Sequence, residues 1–427
     1  MSDDPALDAF VAHFGPEFGH GRAFDLTQLQ QTLAALGNPQ DKLPPVIHVA
    51  GTNGKGSTIA FLRAIAEASG FRVHAFTKPH LIHLHERFVI AGAQANDDAL
   101  VAAADRIAAT GFAPTQFEAQ VAAAFLLFSE TPADFTLIET GMGGRDDATN
   151  VIRNPAAAVI TPIGLDHQDV LGATLAEIAA HKAGILKHGA PAIIARQSPE
   201  AQDVIEASAV RVGAPVYRQG VEWDAFAQNG RLVVQTETRA LDLPPPALFG
   251  AHQFDNAGLA VATLLAFNDM RFTSASIARG IAEAAWAGRF QPLTHGALAD
   301  RAREGSAELW LDGGHNAHAA QALVAALRVL QRKRPARTAL IIGIRARKDW
   351  RAFVETLAPA AQAVIAVPLG DESASTHDIA DAARACATEA QASTDLAHAI
   401  SAALAGGAQR ILICGSLSLV GEALKQN

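Results

Sequence analysis

Short apolar runs alternate with longer, helically spaced segments along most of this chain, and that order constrains the fold more than any other feature. Residues 46–50, 73–76, 135–140, 158–161 and 192–195 are continuous apolar runs of the kind that become buried strands. Segments such as 58–69 and 175–187 carry helical spacing between them. Strand–helix–strand order implies βαβ units, and therefore a mostly parallel sheet covered by helices on both faces. Residues 211–250 differ: VYRQGVEW and GRLVVQTETRALDL predict antiparallel strands, ending in the rigid triplet 244–246. A helical stretch over about 254–286 closes a first domain. Near AGRFQP the pattern restarts, with strands expected at 309–311, 339–342, 364–367 and 411–414. A chain of 427 residues is too long for one ordinary core, so two α/β domains are expected, over 1–288 and 289–427.

Composition narrows the function classes. Hydrophobic content of 49% with 18% charged residues is that of a globular protein. The net charge of −9 argues against non-specific nucleic-acid binding, although a local basic pocket remains compatible with it. Cys386 and Cys414 are the only cysteines, too few for a disulfide framework or a paired metal site. The acidic start MSDDPALDAF lacks the basic and apolar regions of a signal peptide, and no apolar run is long enough to span a membrane. A cytoplasmic location without membrane or nucleic-acid partners is expected.

The stretch VIHVAGTNGKGST places a strand, a glycine-rich turn and a helix in succession. Such a turn aims backbone N–H groups and the positive end of the helix at an anion. Lys55 adds a full charge for phosphates, and Ser57 offers a hydroxyl to Mg²⁺. The spacing departs from the common P-loop: only Thr52 and Asn53 separate the first glycine from Gly54-Lys55, and Gly56 intervenes before Ser57. A dinucleotide fingerprint at Gly141, Gly143 and Gly144 fails because Asp146 occupies the last glycine position. Ligands of open α/β sheets gather at the carboxyl ends of strands. Glu139 ends FTLIE, His167 lies in the loop after 158–161, and Lys182 follows on the next helix. Three such groups on successive elements beside a phosphate loop predict a Mg-ATP site.

The motifs AGTNGKGS, ETGMGGRDDATN, GLDHQDVLG, HKAGILK, GRFQ, LDGGHN and GSLSLVGE follow one another in an order that resembles the folylpolyglutamate synthase/dihydrofolate synthase family, cousins of the Mur ligases. The resemblance runs from about residue 20 to residue 425. It implies an N-terminal three-layer P-loop ATPase domain with a mostly parallel sheet and a smaller, Rossmann-like C-terminal α/β domain. Catalysis would occur in the cleft between them. On this resemblance Asn53, Gly54, Lys55 and Gly56 wrap the phosphates of ATP, and Ser57, Glu139 and His167 serve Mg²⁺. Lys182 matches a lysine that the family carboxylates with CO₂ to support the metal. Asn256, Arg289 and Asp312 match nucleotide contacts, and His315 and Asn316 lie in the loop that closes on the substrates. His20, Asp25, Thr115, Gln116, Phe117, Glu118 and Asp147 resemble pterin-facing positions. As alternatives, Asp25 and Asp312 could serve as helix N-caps, and Arg289 could simply bridge the domains.

The activity implied is ligation of L-glutamate to dihydropteroate, to a folylpolyglutamate, or to both, through an acyl phosphate, by a monomer. Two other readings fit the phosphate loop alone. A Mur-type ligase of cell-wall precursors would need a nucleotide-sugar-binding domain ahead of it, and about 45 residues are too few. A non-ligating nucleotide switch leaves Glu139, His167 and Lys182 without a joint purpose. One departure stands out: where the family commonly has Thr-Ser-Pro-His-Leu, with its serine helping to hold Mg²⁺, this chain reads Thr77-Lys78-Pro79-His80-Leu81. An ammonium has no lone pair for a metal. Either it stands in for a metal as a point charge, the favoured arrangement in a phosphate-rich crevice, or it turns to solvent and water completes the coordination.

Overall fold

The computed structural model describes residues 3–16, 25–370 and 372–427. The chain forms two compact units. The first comprises Met1–Gly164, Gln168–Ala247 and Phe254–Ala285, and the second comprises Leu165–His167, Leu248–Gln253 and Trp286–Asn427.

The first unit is built on β1 (Val46–Ala50), β2 (Val73–Phe76), β3 (Phe88–Ile90), β4 (Ala93–Gln94), β5 (Phe135–Glu139), β6 (Ala157–Ile160), β7 (Ala192–Ile194) and β8 (Val216–Arg218). They form one sheet in the order β4-β3-β2-β5-β1-β6-β7-β8. The pairs from β2 to β8 are parallel, and β3 and β4 extend the edge antiparallel. β1 is flanked by β5 and β6, with Val49 opposite Glu139 and Ala50 opposite Ile160. The chain leaves β1 toward β2 on one side and leaves β6 toward β7 on the other. That divergence opens a crevice at the carboxyl ends, the usual ligand position in such sheets. Helices Pro5–Phe14, Asp97–Ala108 and Gln116–Glu130 contribute buried side chains to one apolar cluster, and Leu175–Lys182 and Pro199–Val212 to another.

A small antiparallel sheet follows, from β9 (Trp223–Gln228), β10 (Arg231–Thr236) and β11 (Ala240–Leu243). The antiparallel expectation for 211–250 holds for these three strands and fails for β8, which pairs parallel with β7. The crossover helix Pro199–Val212 ahead of β8 returns the chain in the parallel direction.

The second unit has β12 (Gln291–Leu293), β13 (Glu308–Leu311), β14 (Thr338–Ile342), β15 (Ala363–Ala366), β16 (Glu389–Ala392) and β17 (Arg410–Cys414), in the order β12-β13-β17-β14-β15-β16. All neighbours are parallel except the edge strand β12. β12 and β16 lack continuous apolar runs, and the hydrophobic pattern therefore passes over them. The core of this unit gathers Leu340, Ile342, Phe353, Val364 and Leu412. Both cysteines are free, and no helix among the described residues is long and apolar enough to cross a membrane.

Candidate active site

The turn after β1 becomes a cradle because two glycines take backbone shapes closed to other residues. Gly54 sits at φ 91°, and a Cβ there would stand 2.5 Å from Asn256 Oδ1. Asn256, on helix His252–Leu265, is buried directly against the cradle. The N–H groups of Thr52 and Asn53 donate to Pro162 O, joining the loops after β1 and β6. The helix begins at Lys55, ahead of the helical segment 58–69 expected from the sequence, and has no side-chain cap at its N-terminus. The positive end of its dipole therefore faces the turn, where it favours an anion.

Around this helix end stand Lys55, Ser57, Glu139, Lys78 and Lys182. Lys55 Nζ donates to Gly51 O (3.2 Å) and lies 4.0 Å from Glu139 Oε1. Glu139 is 4% exposed, and its Oε2 accepts the backbone N–H of Lys78 at 3.2 Å. Ser57 is buried in the first turn of the helix. Lys182, also buried, donates through Nζ to Gly51 O at 2.8 Å. A carbamate on that nitrogen keeps one N–H, so this bond is compatible with either form. The Lys78 ammonium lies 4.3 Å from the centroid of the Phe117 ring. The aromatic face is one of the groups that hold it, and the side chain is half-buried.

A buried carboxylate and a buried hydroxyl at a helix N-terminus fit Mg²⁺, which prefers oxygen and keeps several waters. No group of three or more His, Cys, Asp or Glu side chains is arranged to hold a metal among the described residues. A Mg²⁺ bound chiefly through phosphate oxygens and water needs no such cage.

The pterin-side candidates divide. Thr115 and Glu118 form a reciprocal capping box on helix Gln116–Glu130, which is a folding role. Gln116 is buried with its amide Nε2 unpartnered, a donor poised for a ligand. A Cβ on Gly141 would meet the Phe117 ring at 2.5 Å and Asp147 Oδ2 at 3.0 Å, so these two candidates adjoin. Asp147 is buried, accepting from Met142 N–H at 2.7 Å and from the Thr149 hydroxyl at 2.6 Å. Asp25 accepts from the N–H and the hydroxyl of Thr27, while Leu26 holds the cap position of that helix. His20 lies outside the described residues.

A second constellation belongs to the C-terminal unit, which includes the segment Leu165–His167. Asp166 Oδ1 accepts from Lys348 Nζ at 2.6 Å, and Asn316 Nδ2 donates to Oδ2 at 3.2 Å. His315 Nε2 stands 3.7 Å away, an electrostatic neighbour rather than a hydrogen-bond donor. Burial opposes ionisation of Asp166, yet His315, Lys348 and His167 outweigh it and hold the carboxyl well below the usual range. His167 Nε2 lies 3.3 Å from Lys348 Nζ, so its lone pair must leave this ammonium before it can reach a metal. Asp312 is no N-cap: it accepts the N–H groups of Phe290 and Gly314, and Asn316 caps helix Ala317–Lys333. Burial pushes the Asp312 carboxyl up, and nearby Arg289 works against that rise. Lys348 and Asp166 were missed by the sequence reading. The signal was present, since both follow strand ends, Lys348 after β14 in RARKDW and Asp166 inside GLDHQDVLG.

Comparisons with known proteins agree with this architecture. Residues 49–264 match the Mur ligase middle domain, and residues 288–417 match the Mur ligase glutamate ligase domain. The dihydrofolate synthase/folylpolyglutamate synthase of Bacillus subtilis (strain 168) is 32% identical over 372 residues, covering 82% of this chain and 81% of its own. The chain belongs to the dihydrofolate synthase/folylpolyglutamate synthase family. It is an ATP-dependent ligase of the Mur type. E. coli FolC in complex with DHPP and ADP superposes on this ligase with a TM-score of 0.86 at 30% identity, covering 98% of this chain and 96% of that one. The Yersinia pestis c092 bifunctional synthase complexed with AMPPNP and Mn ion gives 0.86 at 29% identity, over 100% and 99% of the two chains.

Proposed function

We propose that this ligase joins L-glutamate to dihydropteroate and to folates, consuming ATP and releasing ADP and phosphate. The observation that carries the reading is the uncapped helix at Lys55, with Ser57 in its first turn and Glu139 4.0 Å from the lysine ammonium. A carboxylate approaching the γ-phosphate meets like charge. At 4 Å one unit pair costs about 1 kcal/mol in water and about 4 at an effective dielectric near 20. Lys55 and the helix N–H groups offset that repulsion and hold acid and phosphate in line. Ser57 and Glu139 would hold Mg²⁺, with His167 and Lys182 as further candidates, and the ion would supply charge neutralisation at the phosphates. The acid oxygen takes the γ-phosphoryl group and ADP leaves. The glutamate amine then attacks the acyl carbon, phosphate departs, and the amine proton passes to a base. His315, whose Nδ1 is engaged by Gly313 O, is the candidate to orient that amine. Asn256, Arg289 and Asp312 are read as nucleotide contacts, and Phe117, Gln116 and Asp147 as contacts of the pterin ring. All substrates are small molecules, and the working unit is read as a cytoplasmic monomer.

The test supplies ATP and glutamate with dihydropteroate or tetrahydrofolate, and identifies the products by mass. Glutamate-dependent ADP formation is expected with both acids. ADP release with neither acid present, or none with either acid, would overturn the reading, and activity with one would restrict it.

A further inference from the structure

His48 lies in the middle of β1, paired with Ile138 and Ala158, and is fully buried. A catalytic strand has little obvious use for an imidazole at that depth. Its Nε2 is 2.8 Å from Thr149 Oγ1, and Thr149 Oγ1 is 2.6 Å from Asp147 Oδ1. The direction of these bonds follows from counting protons. A hydroxyl has one hydrogen, and the carboxylate oxygen accepts it. The Thr149 oxygen must therefore accept from His48, which places the imidazole proton on Nε2. Nδ1 is then the lone-pair nitrogen, and it is buried with no partner. Burial, with Lys187 acting in the same direction, pushes the imidazole down to about 3, so the ring stays neutral and keeps this single tautomer. At the far end, Met142 N–H holds Oδ2 at 2.7 Å and Thr149 N–H adds a second bond to Oδ1 at 3.0 Å.

We infer that His48 is a positioning residue for the acid substrate, acting through the Thr149 hydroxyl to fix the rotation of the Asp147 carboxylate beside Phe117. This rests on the reading of Asp147 as a pterin contact. Oδ1 already accepts two hydrogen bonds and Oδ2 one, so Oδ2 keeps one lone pair for a pterin N–H, and its direction lies in the plane of the carboxylate. Two hydrogen bonds in series, anchored in the central strand, hold that plane without direct contact between His48 and the substrate.

His48→Leu removes the donor, and the expected result is a rise of about tenfold in KM for dihydropteroate with KM for ATP within about twofold of the parent. His48→Gln, whose amide N–H can replace Nε2–H, should stay close to the parent. Thr149→Val should reproduce the loss, and the double variant should lose no more than either single one. Where His48→Leu gives no folded protein, Thr149→Val against Thr149→Ser carries the same comparison. Nitrogen-15 NMR of the imidazole should show the Nε2–H tautomer, and an Nδ1–H tautomer would overturn the inference. So would equal rises in both KM values, or an unchanged dihydropteroate KM in His48→Leu while Asp147→Asn raises it. If Asp147→Asn itself leaves that KM unchanged, the reading of Asp147 falls and the inference falls with it.

Discussion

Lysines at the cradle occupy three different surroundings, and each predicts its own chemistry. Lys55 faces Glu139, Lys182 touches Gly51 O, and Lys78 rests on Phe117. An ordinary ammonium at Lys182 would repel a neighbouring metal ion, whereas a carbamate would attract it. Lys182→Ala is therefore expected to abolish most activity, with partial recovery when a short carboxylic acid is added to the assay. Full activity of a metal-loaded enzyme with clear density for an unmodified amine would count against the carbamate. Lys78 adds a positive charge over Phe117, and its backbone N–H bonds the Glu139 carboxylate. Lys78→Ser should steepen the dependence of rate on Mg²⁺, as the ion takes over the lost charge. An identical Mg²⁺ titration in the variant would show that Lys78 serves only to cover Phe117.

At the level of elements, caps and ion pairs carry the measurable energies. Helix Gln116–Glu130 starts with the reciprocal Thr115–Glu118 box, so Thr115→Ala should cost about 0.5–2 kcal/mol of stability. If Thr115 also touched substrate, the loss in dihydropteroate KM would exceed what the folding defect explains. The Asp166–Lys348 pair, with side chains 11% and 12% exposed, ties the segment Leu165–His167 into the C-terminal unit. Lys348→Met removes the nearest cation from a buried carboxylate that keeps only Asn316 and the two histidines, and should cost up to about 3–5 kcal/mol by chemical denaturation. Asp166→Asn introduced in the same chain should return much of that loss. A Lys348→Met variant as stable as the parent would mean that Asp166 finds another cation.

Across the whole molecule, buried imidazoles make stability pH-dependent. His48 is pushed down to about 3 and His252 to about 4, in each case chiefly by burial. Between the ordinary histidine value near 6.5 and these folded values, the unfolded chain binds protons that the native one refuses. The stabilisation is fully present above about pH 6.5 and falls on acidification by about 1.4 kcal/mol per pH unit for each such histidine. Denaturation midpoints measured at about pH 7 and about pH 5 should differ accordingly, and His48→Gln should flatten the slope by one proton. An unchanged slope would place the proton uptake elsewhere.

The sequence by itself determined what is local. The run at 46–58 specifies strand, turn and helix through neighbouring residues, and β1 and β2 occur at the predicted positions. The order of motifs likewise specified the family and the two α/β units. What the sequence left open depends on contacts between distant residues. The placement of β1 between β5 and β6, the parallel direction of β8 and the edge strand β12 follow from how crossovers pack, which no single segment encodes. The same holds inside the site. Lys348 reaches Asp166 across 182 residues, and His48 reaches Thr149 across 101. Hydrophobic periodicity reports which face of an element is buried. It does not report which polar group waits on the neighbouring element, so these partners appear only once the sheet has brought them together.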